Sequence, residues 1–461
     1  MSIIAAFMVP HPPLIVPEVG RGGEDQIKIT SDSYERIADE IAKLEPETII
    51  ISSPHSIMYA DYFHISPGKK ASGDLGNFNA GQVSFSEEYD TELVDEIVRI
   101  ADRNAFDAGT LGEKDKRLDH GTMVPLYFIR KKYKKGKIIR LGLSGLPLTD
   151  HYRFGQMIKQ AVERVGRKAV FVASGDLSHK LKASGPYGFA PEGPKYDERI
   201  MDVCGRAAFD ELFDFDESFC DKAAECGHRS FVIMAGALDG LKVETHVYSH
   251  QDVTGVGYGL CSFHIKGEDN NRHFLEKHLQ KQEMKLKEQK DASDVYVRLA
   301  RNTIEKYISE GIIPEVDDDL PKELLQTRAG AFVSIHEHGR LRGCIGTILA
   351  TKECIAKEII DNAISASTKD PRFDPITKDE LDWLEINVDI LSEPEDIASK
   401  DELDVKRYGV IVSNRYKRGL LLPDLDGIDT VDEQIAIAKK KAGISDHEDY
   451  SLQRFEVTRH Y

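Results

Sequence analysis

The sequence predicts two folded domains: an α/β domain over residues 1–265 with a largely parallel central sheet, and a smaller α+β domain over 292–461. Three observations predict it. Short apolar runs alternate with helical patterns up to about residue 265, which is the rhythm of βαβ units. Residues 266–291 then turn to Lys, Glu, Gln, Asp and Asn and read as a charged helical linker, with Leu275, Leu279 and Leu286 as sparse apolar points. Beyond it, strands and helices recur without that alternation, the mark of an α+β arrangement.

The elements follow in order. Ile3 to Val9 is an apolar run expected to form a buried strand. Tyr34, Ile37, Ala38, Ile41 and Leu44 recur at helical spacing, with Thr30 and Ser31 as caps and Pro46 as the stop. A second strand is expected at Thr48 to Ser53, a helix around Leu93 to Ile100, and a strand at Lys137 to Leu143. A helix around Phe154 to Val165 and a strand at Ala169 to Ser174 continue the series, and Val243 to Ser249 with Gly255 to His264 are spaced to pair as a hairpin. In the second domain Val297, Ala300, Ile304, Tyr307 and Ile308 form a helical stripe. Strands are expected at Ala331 to Ile335, Gly343 to Leu349 and Glu385 to Leu391, and helices at Lys352 to Ala366 and Thr430 to Ala442. The last opens on Thr430 and Glu433, spaced as a capping box.

Composition bounds the function. At 461 residues, 41% hydrophobic and 30% charged, each domain can bury a core. A formal charge of −18 argues against a nucleic-acid surface, which would need a basic stripe. Six cysteines, Cys204, Cys220, Cys226, Cys261, Cys344 and Cys354, show no paired spacing, which fits a reducing compartment and neither a disulfide framework nor a zinc ribbon. The apolar N-terminus lacks a basic region and is interrupted by Pro10, His11, Pro12 and Pro13, so no signal peptide is expected. No apolar stretch is long enough to span a bilayer. The expectation is a soluble cytoplasmic protein, with self-association left open.

Chemistry concentrates just past strand ends. His11, His55 and His179 each follow an apolar run, and reactive groups in open α/β sheets gather beyond the carboxyl ends of strands. Two neutral imidazoles and a carboxylate leave three positions open on ferrous iron, as oxygen-activating sites require. His11 and His55 supply the imidazoles. The third ligand is expected from Ala-Ala-Glu-Cys-Gly-His-Arg-Ser, which opens the apolar helix Phe231 to Leu238: Glu225 is the carboxylate candidate and Cys226 its rival. His64, His151, His246 and His250 lack a motif and read as structural or exposed.

Five strings carry a resemblance across the first domain: His-Pro-Pro after the first strand, Ser-Pro-His after the second, Leu-Asp-His-Gly at 118–121, Ser-Gly-Asp-Leu-Ser-His at 174–179, and Glu-Cys-Gly at 225–227. In this order they resemble the class III extradiol dioxygenases of the LigB type and the related Memo family. The resemblance implies metal ligation by His11, His55 and Glu225, with Fe(2+) as the expected ion and Zn(2+) or Cu as alternatives. It further implies His179 as the acid/base on a phenolic proton, His120 beside O2 or the substrate hydroxyl, and Asp176 orienting its neighbours. In the Memo branch the Cys-Gly position is associated with metal.

In the second domain, Leu341-Arg342-Gly343-Cys344-Ile345-Gly346, then Asp370-Pro371-Arg372-Phe373, then Gly419-Leu420-Leu421-Leu422-Pro423, resemble the AMMECR family over nearly all of 290–461. Arg342 suits an acid or a phosphate. Cys344 as a nucleophile would need activation, for which Arg342, His336 and His338 are near in sequence; as a strand residue beside Ile345 it is simply buried. Arg372 is equally placed for an internal ion pair with Asp370. One chain joining these domains resembles part of the AmmeMemoRadiSam set. Two functions follow: a ring-cleaving dioxygenase taking a small aromatic diol and O2, or a metal-binding pathway component that works with a radical S-adenosylmethionine protein and cleaves no diol itself. A zinc hydrolase using the same site is a third.

Overall fold

A computed structural model describes residues 2–113, 115–337, 339–425, 427–445 and 447–461. The chain divides into two compact units, Met1–Gln280 and Lys281–Tyr461.

In the first unit a six-stranded sheet runs in the order Lys137–Leu141, Thr48–Ser52, Ala169–Ser174, Ile3–Val9, Tyr258–Glu268, Leu241–Gln251. The first four strands pair parallel, while Ile3–Val9 meets Tyr258–Glu268 antiparallel, and that strand meets Leu241–Gln251 antiparallel. The sheet is thus mixed, with the parallel part expected and the hairpin added at one edge. The central parallel strands are buried along their full length, as the continuous Ile, Val, Phe and Ala runs require of strands covered on both faces. One apolar layer gathers Phe63, Phe154, Phe171, Tyr196 and Phe231, and the opposite layer gathers Phe7, Tyr34, Ile37, Leu126 and Phe128.

Helices appear where periodicity places them, at Lys28–Leu44, Thr91–Arg103, Leu148–Val165 and His228–Ala237. Thr30 and Ser31 are not caps: the helix begins at Lys28, and Thr30 donates through its hydroxyl and its N–H to Gln251 Oε1. The stretch 266–291 first completes the strand Tyr258–Glu268 and then runs as the helix Phe274–Ala292, whose Phe274 and Leu275 are buried against the first core. The division between units falls within this helix.

The second unit is built on a curled antiparallel sheet in the order Arg340–Gly346, Gly330–Glu337, Leu384–Leu391, Ser451–His460, Tyr408–Asn414, Lys417–Leu421, with Glu395–Ile397 also pairing to Ser451–His460. Val295–Glu310 and Ile355–Thr368 cover its core of Val297, Ile304, Val333, Ile359 and Val388. Val431–Ala442 opens on the Thr430–Glu433 capping box, with the Glu433 N–H donating to Thr430 Oγ1 at 3.2 Å. Among the described residues, no helix is long and apolar enough to cross a membrane.

Candidate metal centre

Three parallel strands end at one rim and deliver their following residues to it. Ile3–Val9 leads to His11, Thr48–Ser52 leads to His55, and Ala169–Ser174 leads to Asp176 and His179. The ligand-capable atoms of His11, His55 and Cys226 all lie within 4.8 Å of one another, the one such group of three among the described residues. His11 Nε2 is 3.0 Å from His55 Nε2 and 3.6 Å from Cys226 Sγ.

The tautomer of His11 follows from its neighbours. Ser174 Oγ donates its proton to the Gly121 carbonyl at 2.6 Å, so it must accept from His11 Nδ1 at 2.9 Å. The lone pair of neutral His11 therefore sits on Nε2, facing His55 and Cys226. Burial, then the neighbouring His55, hold the His11 pKa well below its ordinary value; His11 is 1% exposed. Burial also lowers His55. Both rings are thus neutral at neutral pH, the form that ligates metal.

Cys226 is placed by a backbone contact. The loops Ser174–Asp176 and Glu225–His228 press together so closely that a Cβ on Gly175 would lie 2.1 Å from Gly227 Cα. Only glycine permits this approach. The contact sets the sulfur at the rim, where the Asp176 N–H donates to Sγ at 3.3 Å. Burial pushes the Cys226 thiol well above its ordinary pKa, reinforced by the Asp176 charge.

Glu225, expected as the third ligand, faces elsewhere. Its Oε2 accepts the His228 N–H at 2.6 Å at the start of the helix His228–Ala237, where unpaired N–H groups and the helix dipole favour a carboxylate. Gly227 N–H and the Tyr196 hydroxyl also bond to it, while burial raises its pKa to about 7. Here the sulfur faces the histidines and the carboxylate caps the helix.

The other expected residues surround this group. His120 opens the helix His120–Lys132, whose N-cap is Asp119, accepting from the Thr122 N–H at 3.0 Å. Its ring lies 3.9 Å from the His55 ring, and burial with the two neighbouring histidines lowers its pKa to about 4. Asp176 Oδ1 accepts the His11 backbone N–H at 2.7 Å, fixing the loop that carries the first ligand; burial raises its pKa. His179 Nδ1 donates to the Ala224 carbonyl at 2.6 Å, which leaves its neutral-form lone pair on Nε2. Ala224 holds a left-handed φ of 52° to present that carbonyl.

Several neighbours carry no sequence motif. A cleft of about 310 Å³ opens beside His55 and His120, walled by Phe78, Leu118 and Met123, with Arg140 beneath. Phe78 meets the His120 ring edge-on at 5.3 Å, and Tyr187, 60% exposed, meets His179 edge-on at 5.1 Å. Arg140 is fully buried and donates to Ser66 Oγ and the Arg117 carbonyl, with Glu113 at 3.4 Å. The Tyr34 hydroxyl donates to the Pro10 carbonyl. The apolar His-Pro-Pro and Leu-Asp-His contexts pointed to the rim, but nothing in the chain linked Phe78 or Tyr187 to it.

In the second unit the charged residues close on each other. Arg342 Nε donates to Glu380 Oε1 at 2.6 Å, and Arg372 Nη2 to Asp370 Oδ2 at 2.7 Å. Asp370 Oδ2 also accepts the Cys344 N–H at 2.9 Å, and the Ser334 hydroxyl donates to Cys344 Sγ at 3.3 Å. Cys344 is partly buried on the strand Arg340–Gly346. His336 is partly buried, and burial lowers its pKa; His338 lies outside the described residues.

Comparison with known proteins places both parts. Residues 5–261 match the family model described as the catalytic LigB subunit of aromatic ring-opening dioxygenase, and residues 297–460 match AMMECR1. A Clostridium acetobutylicum protein is 42% identical over 468 residues, covering 100% of this chain and 99% of that protein. A Thermotoga maritima protein is 53% identical over 167 residues, 36% of this chain and 96% of its own length. Among solved structures, an Escherichia coli K12 protein described as uncharacterized matches at TM-score 0.37 and 14% identity, covering 56% of this chain and 99% of that one. By these matches the chain belongs to the family of the catalytic LigB subunit of aromatic ring-opening dioxygenase, followed in the same polypeptide by an AMMECR1 domain.

Proposed function

We propose that the N-terminal domain binds a transition-metal ion through His11, His55 and Cys226 and acts as the metal-bearing component of a modification pathway, partnered by a radical S-adenosylmethionine enzyme. The observation that carries the ligand set is the third donor: Cys226 Sγ stands 3.6 Å from His11 Nε2, while the Glu225 carboxylate is spent on the helix start. The donors fit an ion. Two imidazole nitrogens at about 2.0–2.1 Å and a thiolate at about 2.3 Å from one centre stand roughly 3–4 Å apart, as His11, His55 and Cys226 do along the two measured edges. A soft sulfur ligand with two imidazoles suits zinc or copper better than the carboxylate set expected for ferrous iron. The pathway role rests on the pairing of the two family domains in one chain.

When bound, the ion supplies a Lewis acid and, for copper or iron, a one-electron couple. The protein's own residues divide the remaining work. Ser174 and Asp176 hold His11 by its ring and its backbone. His179, its Nδ1 tied to Ala224, directs Nε2 as the ring nitrogen that can take a proton. His120, neutral at pH 7, can donate or accept a hydrogen bond at the cleft mouth.

Extradiol cleavage of a small aromatic diol with O2 is the second reading. It is favoured by the His179 base and by a cleft whose Phe78, Leu118 and Met123 walls suit one ring. One experiment separates the two. Protein purified without oxygen is assayed for bound metal and for O2 uptake with a panel of catechols, comparing His55→Ala, Cys226→Ser and Glu225→Gln. The first reading expects metal loss in His55→Ala and Cys226→Ser, retention in Glu225→Gln, and no O2 uptake with any diol. Iron content lost in Glu225→Gln but kept in Cys226→Ser, together with diol-dependent O2 uptake, would replace it with the dioxygenase.

A further inference from the structure

A second cavity, of about 380 Å³, lies wholly within the C-terminal unit and has a single cation, Arg301, in its lining. It is walled by Leu286, Ile386 and Tyr461, with Arg301, Glu385, Ser293, Gln289 and Asn387 as its polar members. Arg301 uses one N–H group: Nη2 donates to the Leu384 carbonyl at 3.0 Å. Its Nε and Nη1 are buried and have no hydrogen-bond partner. Buried donors are ordinarily satisfied, and a guanidinium with two of them unpaired carries a desolvation cost.

The surroundings deepen the imbalance. Lys290 Nζ donates to the Asp382 carbonyl at 2.8 Å and stands near enough that the Arg301 charge, after burial, helps depress its pKa. Burial also depresses Arg301, opposed by the charge of Glu305. The one acid on the cavity wall, Glu385, accepts the Gly339 N–H at 3.2 Å and forms no ion pair with Arg301. Arg301 therefore faces a half-apolar cavity with two of its N–H groups unpaired and, among the described residues, no ion pair with Glu385 or Glu305.

We propose that this cavity is a binding site for a small organic carboxylate with an aromatic or apolar body, whose carboxylate pairs with Arg301 while its body lies against Leu286, Ile386 and Tyr461. A planar fork of N–H donors matches a carboxylate in geometry. The Asn387 and Gln289 amides supply further donors, and the apolar walls take the remainder of the molecule. The site is independent of the metal centre.

The test uses the full chain and sodium benzoate as probe, by isothermal titration calorimetry at fixed ionic strength, with inorganic phosphate as a parallel arm. Wild-type protein should bind benzoate saturably, and Arg301→Met should weaken that binding at least tenfold. Arg301→Met should also melt no lower than wild type without ligand, because it removes an uncompensated buried charge. Asn387→Ala serves as a second variant and should weaken benzoate binding severalfold. Absence of saturable benzoate binding, or binding unchanged in both variants, overturns the proposal. So does a lower melting temperature in Arg301→Met, which would mean the fold already compensates the charge. Phosphate binding as tightly as benzoate would overturn the carboxylate assignment.

Discussion

Gly175→Ala is the sharpest probe of how Cys226, the proposed third ligand, is placed. The new Cβ would lie 2.1 Å from Gly227 Cα, whereas ordinary contact begins at 3.4 Å, so the two loops must part by about 1.3 Å. Gly227 follows Cys226 directly, and the displacement passes to the sulfur. Ligand sets tolerate roughly 0.5 Å before geometry fails, and metal–ligand distances hold within about 0.2 Å. Overpacking of this kind costs about 1–3 kcal/mol, which should lower the melting transition of the unit by roughly 2–10 °C. Metal affinity should fall by at least about tenfold, the lower end of what disturbing a ligand's support does. Cobalt(II) titration against a competing chelator measures the affinity, and thiolate-to-cobalt charge-transfer absorption reports whether sulfur is bound. A variant that melts lower yet keeps wild-type affinity and full charge-transfer intensity would refute the claim that the Gly175–Gly227 contact positions Cys226.

Ser174→Ala removes the acceptor that fixes the His11 tautomer, so metal affinity should drop about 10–100-fold, measured by the same titration, with the buried Nδ1–H left unpaired. In the second unit Glu358 is buried and accepts from Thr347 Oγ1, from Thr351 through both N–H and hydroxyl, and from the Lys352 N–H, at 2.7–2.8 Å. Glu358→Gln turns an amide N–H2 toward those donors and should cost about 2–3 kcal/mol, on the scale of hydrogen bonds to a charged group, read by chemical denaturation. Burial alone would raise the Glu358 pKa, but these donors hold it below the ordinary value. Its stabilisation is therefore present above the unfolded-state pKa and lost as pH falls through the lower folded-state value. The acid limb of a pH–stability curve should flatten in Glu358→Gln, and an unchanged limb would show that another carboxylate governs it.

Much of the framework was legible because burial writes itself into hydrophobic runs. Thr48–Ser52 and Ala169–Ser174 are buried throughout, with continuous apolar stretches at 49–51 and 169–173, since both faces of the parallel sheet are covered. The Thr430–Glu433 capping box marked its helix to within a residue. What stayed hidden lacked such a signature. In the hairpin of Lys70–Leu75 and Ala80–Glu88 the first strand buries Ala71, Gly73 and Leu75, too little apolar bulk for its alternation to stand out, and His120–Lys132 carries Pro125 in its interior. The helix at Lys28 begins without a side-chain cap, so Thr30 and Ser31 drew the start three or four residues late.

The site was legible to the level of strand ends and no further, and the choice between Glu225 and Cys226 shows why. Both residue types ligate metals, and their positions differ by one. Which one faces the histidines depends on the rotation of a short loop, and that rotation is set from outside it. The αL turn at Ala224 ends one helix, the N–H groups of Gly227 and His228 open the next, and Gly175 presses on Gly227 from a strand end fifty residues earlier. The carboxylate follows the helix N-terminus because unpaired donors and the positive end of the dipole stabilise it there. Once it does, the sulfur has only the rim to face. The same logic gives Glu225 a purpose that ligation would remove: pulling it to a metal would expose the first turn of His228–Ala237 and turn Cys226 away. In this structure the helix start holds the Glu225 carboxylate, and the adjacent sulfur is the donor left beside the histidines.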